Sequence, residues 1–540
     1  MKLHALLTLL LTAAFALPAT AVEPNAKAPK GGTFNYNLGG EPPTVHPIMS
    51  TDLYSRKVRE WMGDTLAARD ANTYDWKPRL AEKWEISKDN KVFTFHLRQG
   101  LKFHDGKDVT AEDVKFSFDA IFEPKYEAAH MRPYYEGIAK AEVVDPHTIR
   151  FTAKDTYFKN FDVVAELEVI PKHIYSDIAK SKKMTREYVG VGPYKLEKFD
   201  RGQMIVLKRF EPWAETVGAS WPGAYNFDRV IMRFYKDENV ELERLKKGDL
   251  DYGELSAEAY VKKAVGEPWG KSVLKKKVEN DGPVSYGFVG WNFRRDLFQD
   301  RNTRIALAHL LNRDEIIKKF AYGLSEAARG PVFNRSEYAS PKVKAFNFDP
   351  KAARELLAKA GWKDDDKNGV LEKNINGKNV EFRFALIYPN KDTEKYWTLY
   401  REDLKKAGIE MDLRYLEWNS FLKLIDEGNF DAAALAWGGG DLFWDPKQIW
   451  HSSSAVPGGS NFIAYKNPEV DKLIDESRQI MDRNKRRDSL RKVYELIAAD
   501  APYAFLTNPK FAYYGLSSRV QQPGETFKYR VGYEYWWVKP

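Results

Sequence analysis

Hydrophobic and polar positions along the chain alternate in some stretches and recur at helical spacing in others. In FTFHLR, Phe93, Phe95 and Leu97 fall on one side of a period-two pattern, which predicts a half-buried strand. Asp105-Gly106 then predicts a turn, and Thr110 caps a helix AEDVKFSFDAIF with Asp113 at its third position, a capping-box arrangement. Further along, Ala353, Leu356, Leu357 and Ala360 fall at i, i+3, i+4 and i+7, one apolar helix face, with Asp349 as N-cap and Pro350 at the first helical position. TRIALAHLLNRDEIIKKFAYG and NPEVDKLIDESRQIMDRNKRRDSLRKVYELIAADAP each predict one long helix, the second ending at Pro502.

Strand patterns punctuate these helices. GGTFNYNLGG follows a polar entry segment. A rigid turn at Gly190 to Tyr194 opens the pair YKLEKF and MIVLKRF, followed by VIMRFY. Pro283 to Asn292 alternates as an apolar strand, and YAFLTNPKFAYYG closes the chain. Mixed helix and strand order without a repeat predicts an α/β or α+β fold. The chain reads as leaving a first domain, building a second, returning, building a third and returning again, with hinge strands at the crossings.

Composition adds limits. The 540 residues are 43% hydrophobic and 30% charged, enough for a soluble protein of two to four ordinary domains or one large composite. MKLHALLTLLLTAAFALPATA carries Lys2, an apolar run from Ala5 to Leu17 and a small-x-small site at Ala19-Thr20-Ala21. This predicts a secretory signal peptide over residues 1–21, with Val22 as the mature N-terminus. The absence of Cys removes disulfides, thiolate metal sites and a lipoprotein anchor. The +8 net charge is spread over 85 basic and 77 acidic residues, and the basic runs carry or abut acids, which argues against nucleic acid as a partner.

Catalytic patterns are missing: no Walker-type loop, no H-E-x-x-H and no G-x-S-x-G elbow, and the nine His are scattered. His104 and its acidic neighbours read as a turn network. Distant carboxylate pairs leave a secreted hydrolase as a minor alternative. Asp364, Asp366 and Asn368 alternate before Gly369 like a calcium loop, but the twelfth position is Ile375; Glu372, at the ninth, contributes only in part. The stretch is therefore read as an Asx-rich turn, and neither metal nor cofactor is assigned.

The aromatic content, 14%, is more informative. In LRYLEWNSFLKL and ALAWGGGDLFWDPKQIW, tryptophans sit beside glycines and acids. Gly438, Gly439 and Gly440 would leave backbone open to a ligand chain, Trp437, Trp444 and Trp418 would wall the space, and Asp441 offers a carboxylate for an ammonium. The competing reading is a strand-to-helix loop in which Asp445-Pro446 starts the helix.

Several ordered motifs carry a resemblance: LAEKWEISKDNKVFTFHLRQGLKFHDGKDVTAEDVKFSFD, VIPKHIY, GVGPYKLEKF, WNFRRDLFQDRNTRIALAHLLNRDEI, FDPKAARELLAKAGW and NPEVDKLIDESRQIMD. The chain resembles the family 5 extracellular solute-binding proteins, the periplasmic receptors of peptide-type ABC transporters. Residues 211–254 look most like the branch that takes up murein peptides and peptide antibiotics. The resemblance implies a large three-domain periplasmic-binding-protein fold of type II (cluster C), with two lobes and hinge strands. Domain I would comprise 22–55, 190–285 and 511–540, domain II 56–189, and domain III 286–510. It further implies a monomer in the periplasm of a Gram-negative bacterium, binding peptides without catalysis for delivery to an ABC permease. Asp441 matches the family's ammonium-binding Asp, although this loop is a residue longer, which makes Asp445 the second choice. Where the family usually has Leu-Asp-Pro, this chain has Thr44-Val45-His46-Pro47; Glu41 and Thr44 remain expected lining residues. Oligosaccharide binding, with sugars stacked on the tryptophans, is the alternative on the same fold.

Overall fold

The computed structural model describes residues 22–50, 52–126, 128 and 131–539; the signal peptide expected over residues 1–21 lies outside the described residues. Among them, no helix is long and apolar enough to cross a membrane.

Three principal sheets organise the chain. A seven-stranded sheet runs in the spatial order Val273–Val278, Ala512–Ser517, Tyr252–Glu254, Thr33–Asn37, Arg229–Arg233, Met204–Arg209 and Tyr194–Asp200. A four-stranded antiparallel sheet is built from Ala81–Ile86, Val92–Leu97, Thr148–Ala153 and Ile138–Asp145. In Val92–Leu97 the odd-numbered side chains Phe93, Phe95 and Leu97 are buried, as alternation requires. Its core also takes in Phe210, Trp213, Val217, Trp221, Phe527 and Tyr535, so the two sheets share one lobe. Buried Arg79 donates from Nε to Asp64 Oδ1 at 2.8 Å, and Trp213 Nε1 donates to Asp64 Oδ2 at 2.6 Å, tying these sheets together. Val22 joins this lobe: its carbonyl accepts from Asn72 Nδ2 at 2.7 Å.

The helix Ala111–Phe122 starts at Thr110, and Asp113 accepts from the Thr110 backbone N–H and hydroxyl, both at 2.9 Å. His104 is half-buried between glycines. Its Nδ1 accepts from the Gly190 N–H at 3.2 Å, and Nε2 donates to the Gly192 carbonyl at 3.1 Å. Burial pushes its pKa down to about 4, so the imidazole is a neutral brace for the 190–194 turn.

The second lobe holds a five-stranded sheet in the order Glu410–Tyr415, Arg383–Tyr388, Ala432–Trp437, Tyr286–Trp291 and Tyr503–Phe505. In Tyr286–Trp291, Tyr286 and Phe288 enter one core while Val289 and Trp291 enter another, so alternation here separates two cores instead of core from solvent. The helix Pro350–Lys359 has Asp349 accepting from the Ala352 N–H and buries Ala353 and Leu357. Each of the two long helices expected from periodicity is in fact a pair. Arg301–His309 and Arg313–Phe320 are separated at Asn312, which caps the second through the Glu315 N–H. Arg313 turns inward there, donating to the Ala308, Leu311, Phe346 and Phe505 carbonyls. Pro468–Gln479 and Arg483–Asp500 are likewise divided, with Asp482 capping the second through the Lys485 N–H. A cap residue inside an apolar period ends one helix and starts the next, which periodicity alone does not register. The closing strand likewise divides, into Tyr503–Phe505, Thr507–Pro509 and Ala512–Ser517, the first in the five-stranded sheet and the last in the seven-stranded one.

Candidate functional site

Arg383–Tyr388, Glu410–Tyr415 and Ala432–Trp437 run parallel and end on the same edge of their sheet. Ligands in open α/β sheets bind beyond such carboxyl ends. Both chain crossings between the lobes reach this edge. Tyr286 pairs with Trp437, so residues 279–285 enter beside the end of Ala432–Trp437, and Phe505 leaves beside Phe288 toward Ala512–Ser517. The loop 438–445 therefore stands where the lobes meet.

Its glycines have different tasks. A methyl group on Gly439 would collide with the Pro283 carbonyl, so only glycine fits against the crossing segment. The equivalent position on Gly438 meets nothing within 4 Å, which leaves its backbone approachable. Gly440 adopts φ +67°, the left-handed conformation that aims Asp441.

Asp441 reaches across to the first lobe. Its Oδ1 accepts from the Tyr74 hydroxyl at 2.8 Å and from the Phe443 N–H at 3.1 Å; its Oδ2 accepts from Lys159 Nζ at 2.8 Å. Burial works against its charge, but Lys159 and these hydrogen bonds outweigh it and hold the carboxyl below its ordinary range. Asp445 makes a parallel contact: Oδ2 accepts from the Tyr157 hydroxyl at 2.6 Å and lies 3.4 Å from Arg478 Nε, while Oδ1 accepts from the Lys447 N–H at 3.1 Å. Arg69, paired with Asp162 at 2.9 Å, lies 5.0 Å from the centre of the Phe443 ring, and the Phe158 N–H donates to the Arg478 carbonyl.

Asp441 lies among other carboxylates. Asp441, Asp162 and Glu166 share the charges of Lys159 and Arg69. Glu166 keeps access to solvent although protein surrounds it on most sides, the situation of a cleft wall. Desolvation, then the charges of Asp441 and Asp162, push its carboxyl up to about 7.

On the first lobe, Thr33–Asn37 and Tyr252–Glu254 are parallel and end on one edge. Glu254 there pairs with Lys57 at 3.1 Å, and Glu258 lies 3.7 Å from Lys395 of the second lobe. Desolvation, then the charges of Glu254 and Glu238, push the nearby Glu241 up to about 7, against a hydrogen bond from Asn37.

The remaining expected residues are more scattered. Trp437 donates from Nε1 to the Tyr503 hydroxyl at 3.2 Å and packs beside Phe288 and Phe462. Trp444 is buried against Tyr338 and Tyr494. Trp418 is half exposed at the start of its helix, stacked on Phe421. Glu41 accepts from the Gly202 N–H at 2.7 Å and lies 3.5 Å from Arg186; Thr44 Oγ1 accepts from the His46 N–H at 3.0 Å. The structure thus brings Trp437, Gly438, Gly439, Asp441 and Asp445 to the lobe junction, while the hydrogen bonds and ion pair of Glu41 and Thr44 stay within the first lobe. Sequence reasoning missed Tyr74, Tyr157, Lys159 and Glu166, which lie in stretches with no motif.

Residues 75–460 match the family described as bacterial extracellular solute-binding proteins, family 5 Middle. The oligopeptide-binding protein AppA of Bacillus subtilis is 28% identical over 539 residues, covering 96% of this chain and 94% of that protein. The structure of B. subtilis AppA in complex with a nonapeptide superposes with a TM-score of 0.81 at 27% identity, covering 95% of this chain and 100% of that one. The periplasmic binding protein DppA of Helicobacter pylori, in complex with the peptide STSA, shares the fold with a TM-score of 0.79 at 22% identity, covering 95% of this chain and 99% of that one. This chain belongs to the bacterial extracellular solute-binding proteins, family 5.

Proposed function

We propose that this protein captures peptides or peptide-like ligands between its two lobes in the periplasm of a Gram-negative bacterium and delivers them, as a monomer, to an ABC permease. The observation that carries the reading is Asp441, a carboxylate on an open glycine loop at the lobe junction that already accepts an ammonium, from Lys159. Among the described residues Oδ2 accepts that one hydrogen bond, and Asp441, Asp162 and Glu166 share the charges of Lys159 and Arg69, so a ligand ammonium adds a favourable partner. The Gly438 backbone supplies groups for pairing with an extended chain, a mode tolerant of side-chain identity. Closure of one lobe on the other then holds the ligand, binding without turnover. The peptide complexes of AppA and DppA support the same reading.

Oligosaccharide binding has less support, because Trp437 spends its N–H on Tyr503 and Trp444 is buried, which leaves Trp418 as the exposed stacking surface of the three. Calorimetric titration with a peptide panel and an oligosaccharide panel, together with native mass spectrometry of the co-purifying ligand, tests the proposal. Peptides should bind and be recovered intact; heat from sugars alone, or cleaved peptide, would overturn it.

A further inference from the structure

The loop between Trp362 and the strand Glu372–Ile375 has no part in the lobe junction. One carboxylate oxygen each from Asp364, Asp366 and Glu372 lie within 4.8 Å of one another. A calcium ion holds oxygen ligands at about 2.3–2.6 Å, so oxygens on opposite sides of it stand about 5 Å apart or less. The spacing fits.

Glu372 supplies an independent observation. The residue is 5% exposed, pinned by a two-way backbone bridge with Lys363. Its Oε1 accepts from the Asp365 and Asp366 N–H groups at 3.1 and 3.3 Å. Its Oε2 is buried and, among the described residues, has no hydrogen-bond partner. A buried carboxylate oxygen with no donor is costly unless a cation meets it.

Among the described residues, Asp364, Asp366 and Glu372 make no ion pair with Lys or Arg, and Lys373 lies over the Trp362 ring. The other donors are uncharged: the Gly369 N–H to Asp364 at 3.2 Å, and the Asn368 backbone and amide N–H to Asp366, both at 3.0 Å. The sequence offers no Glu at the twelfth loop position, and the fold uses the ninth. There the bridge to Lys363 turns Glu372 inward beside the first and third.

We propose that Asp364, Asp366 and Glu372 form a calcium site that fastens this loop, and the hairpin from Glu372 to Glu381, onto the second lobe. An all-oxygen, triply anionic set suits a hard divalent cation, and an irregular loop suits calcium better than magnesium, which demands near-ideal octahedral geometry.

The test is calorimetry and thermal unfolding of the mature protein, stripped with EDTA and titrated with CaCl2. Saturable binding of one ion is expected, with a dissociation constant on the order of 10⁻⁵–10⁻³ M and a rise in Tm of a few degrees. Asp366→Asn, at an exposed position, should weaken binding at least about tenfold while leaving the EDTA-treated Tm near that of the wild type. Should Glu372→Gln fail to fold, Asp364→Asn serves as the second variant, with the same weakening expected. Neither heat nor a Tm change up to about 10 mM calcium, an unchanged affinity in both Asp variants, or equal stabilisation by MgCl2 would overturn the assignment.

Discussion

Asp441→Asn separates two roles for the junction carboxylate. Asparagine keeps the shape, so the bonds from the Tyr74 hydroxyl and the Phe443 N–H persist, while the charge facing Lys159 is lost. If a ligand's ammonium also docks on Asp441, the change removes a charge-assisted hydrogen bond with a net value of about 1.5–3 kcal/mol. Taking about 2 kcal/mol, a peptide with a free N-terminus loses roughly 30-fold in affinity on that account. The Lys159–Asp441 pair is lost whatever the ligand. With 34% of the Asp441 side chain exposed, its loss is screened to about 1 kcal/mol or less, roughly fivefold. Free-amine peptides should therefore weaken roughly 30- to 150-fold, and their N-acetylated counterparts no more than about fivefold. Paired calorimetric titrations at pH 7 measure both. Equal losses would show that Asp441 only latches the lobes and that the ligand's amine, if it has one, binds elsewhere.

Other consequences follow from the same geometry. Gly438→Ala should leave Tm unchanged but lower peptide affinity, whereas Gly439→Ala, blocked by the Pro283 carbonyl, should cost about 1–3 kcal/mol of stability in urea unfolding; equal behaviour would refute the division of labour in the loop. Asp64→Ala leaves the Arg79 guanidinium buried and unpaired and should cost about 3–5 kcal/mol, with a loss under about 1 kcal/mol counting against it. Glu166 has a folded pKa of about 7 against an unfolded value of 4.5, so the native state keeps an extra proton in that window, and this group's contribution to stability falls as pH rises through it. Affinity for free-amine peptides should rise over the same range as Glu166 ionises, and Glu166→Gln should flatten both trends; an unaltered slope in the variant would exclude Glu166 as the source.

Local order was legible in the sequence because it depends on near neighbours. The alternation of Phe93, Phe95 and Leu97, the cap at Thr110 and Asp113, and the start at Asp349-Pro350 all occur in the structure as written in the chain. The ordered motifs were enough to indicate the family. Breaks at Asn312 and Asp482 were not read from periodicity, since a polar cap and a polar surface position look alike until Arg313 is seen turning into the core. Which carboxylates matter was decided by tertiary structure alone. Lys159 and Tyr74 meet Asp441 from 282 and 367 residues away, brought there by the packing of one lobe on the other. Glu372 joins Asp364 and Asp366 because a backbone bridge turns it inward, a register set by pairing and not by spacing. Propensity and periodicity act over a few residues, whereas the charge a carboxylate meets depends on which distant surfaces are buried against each other.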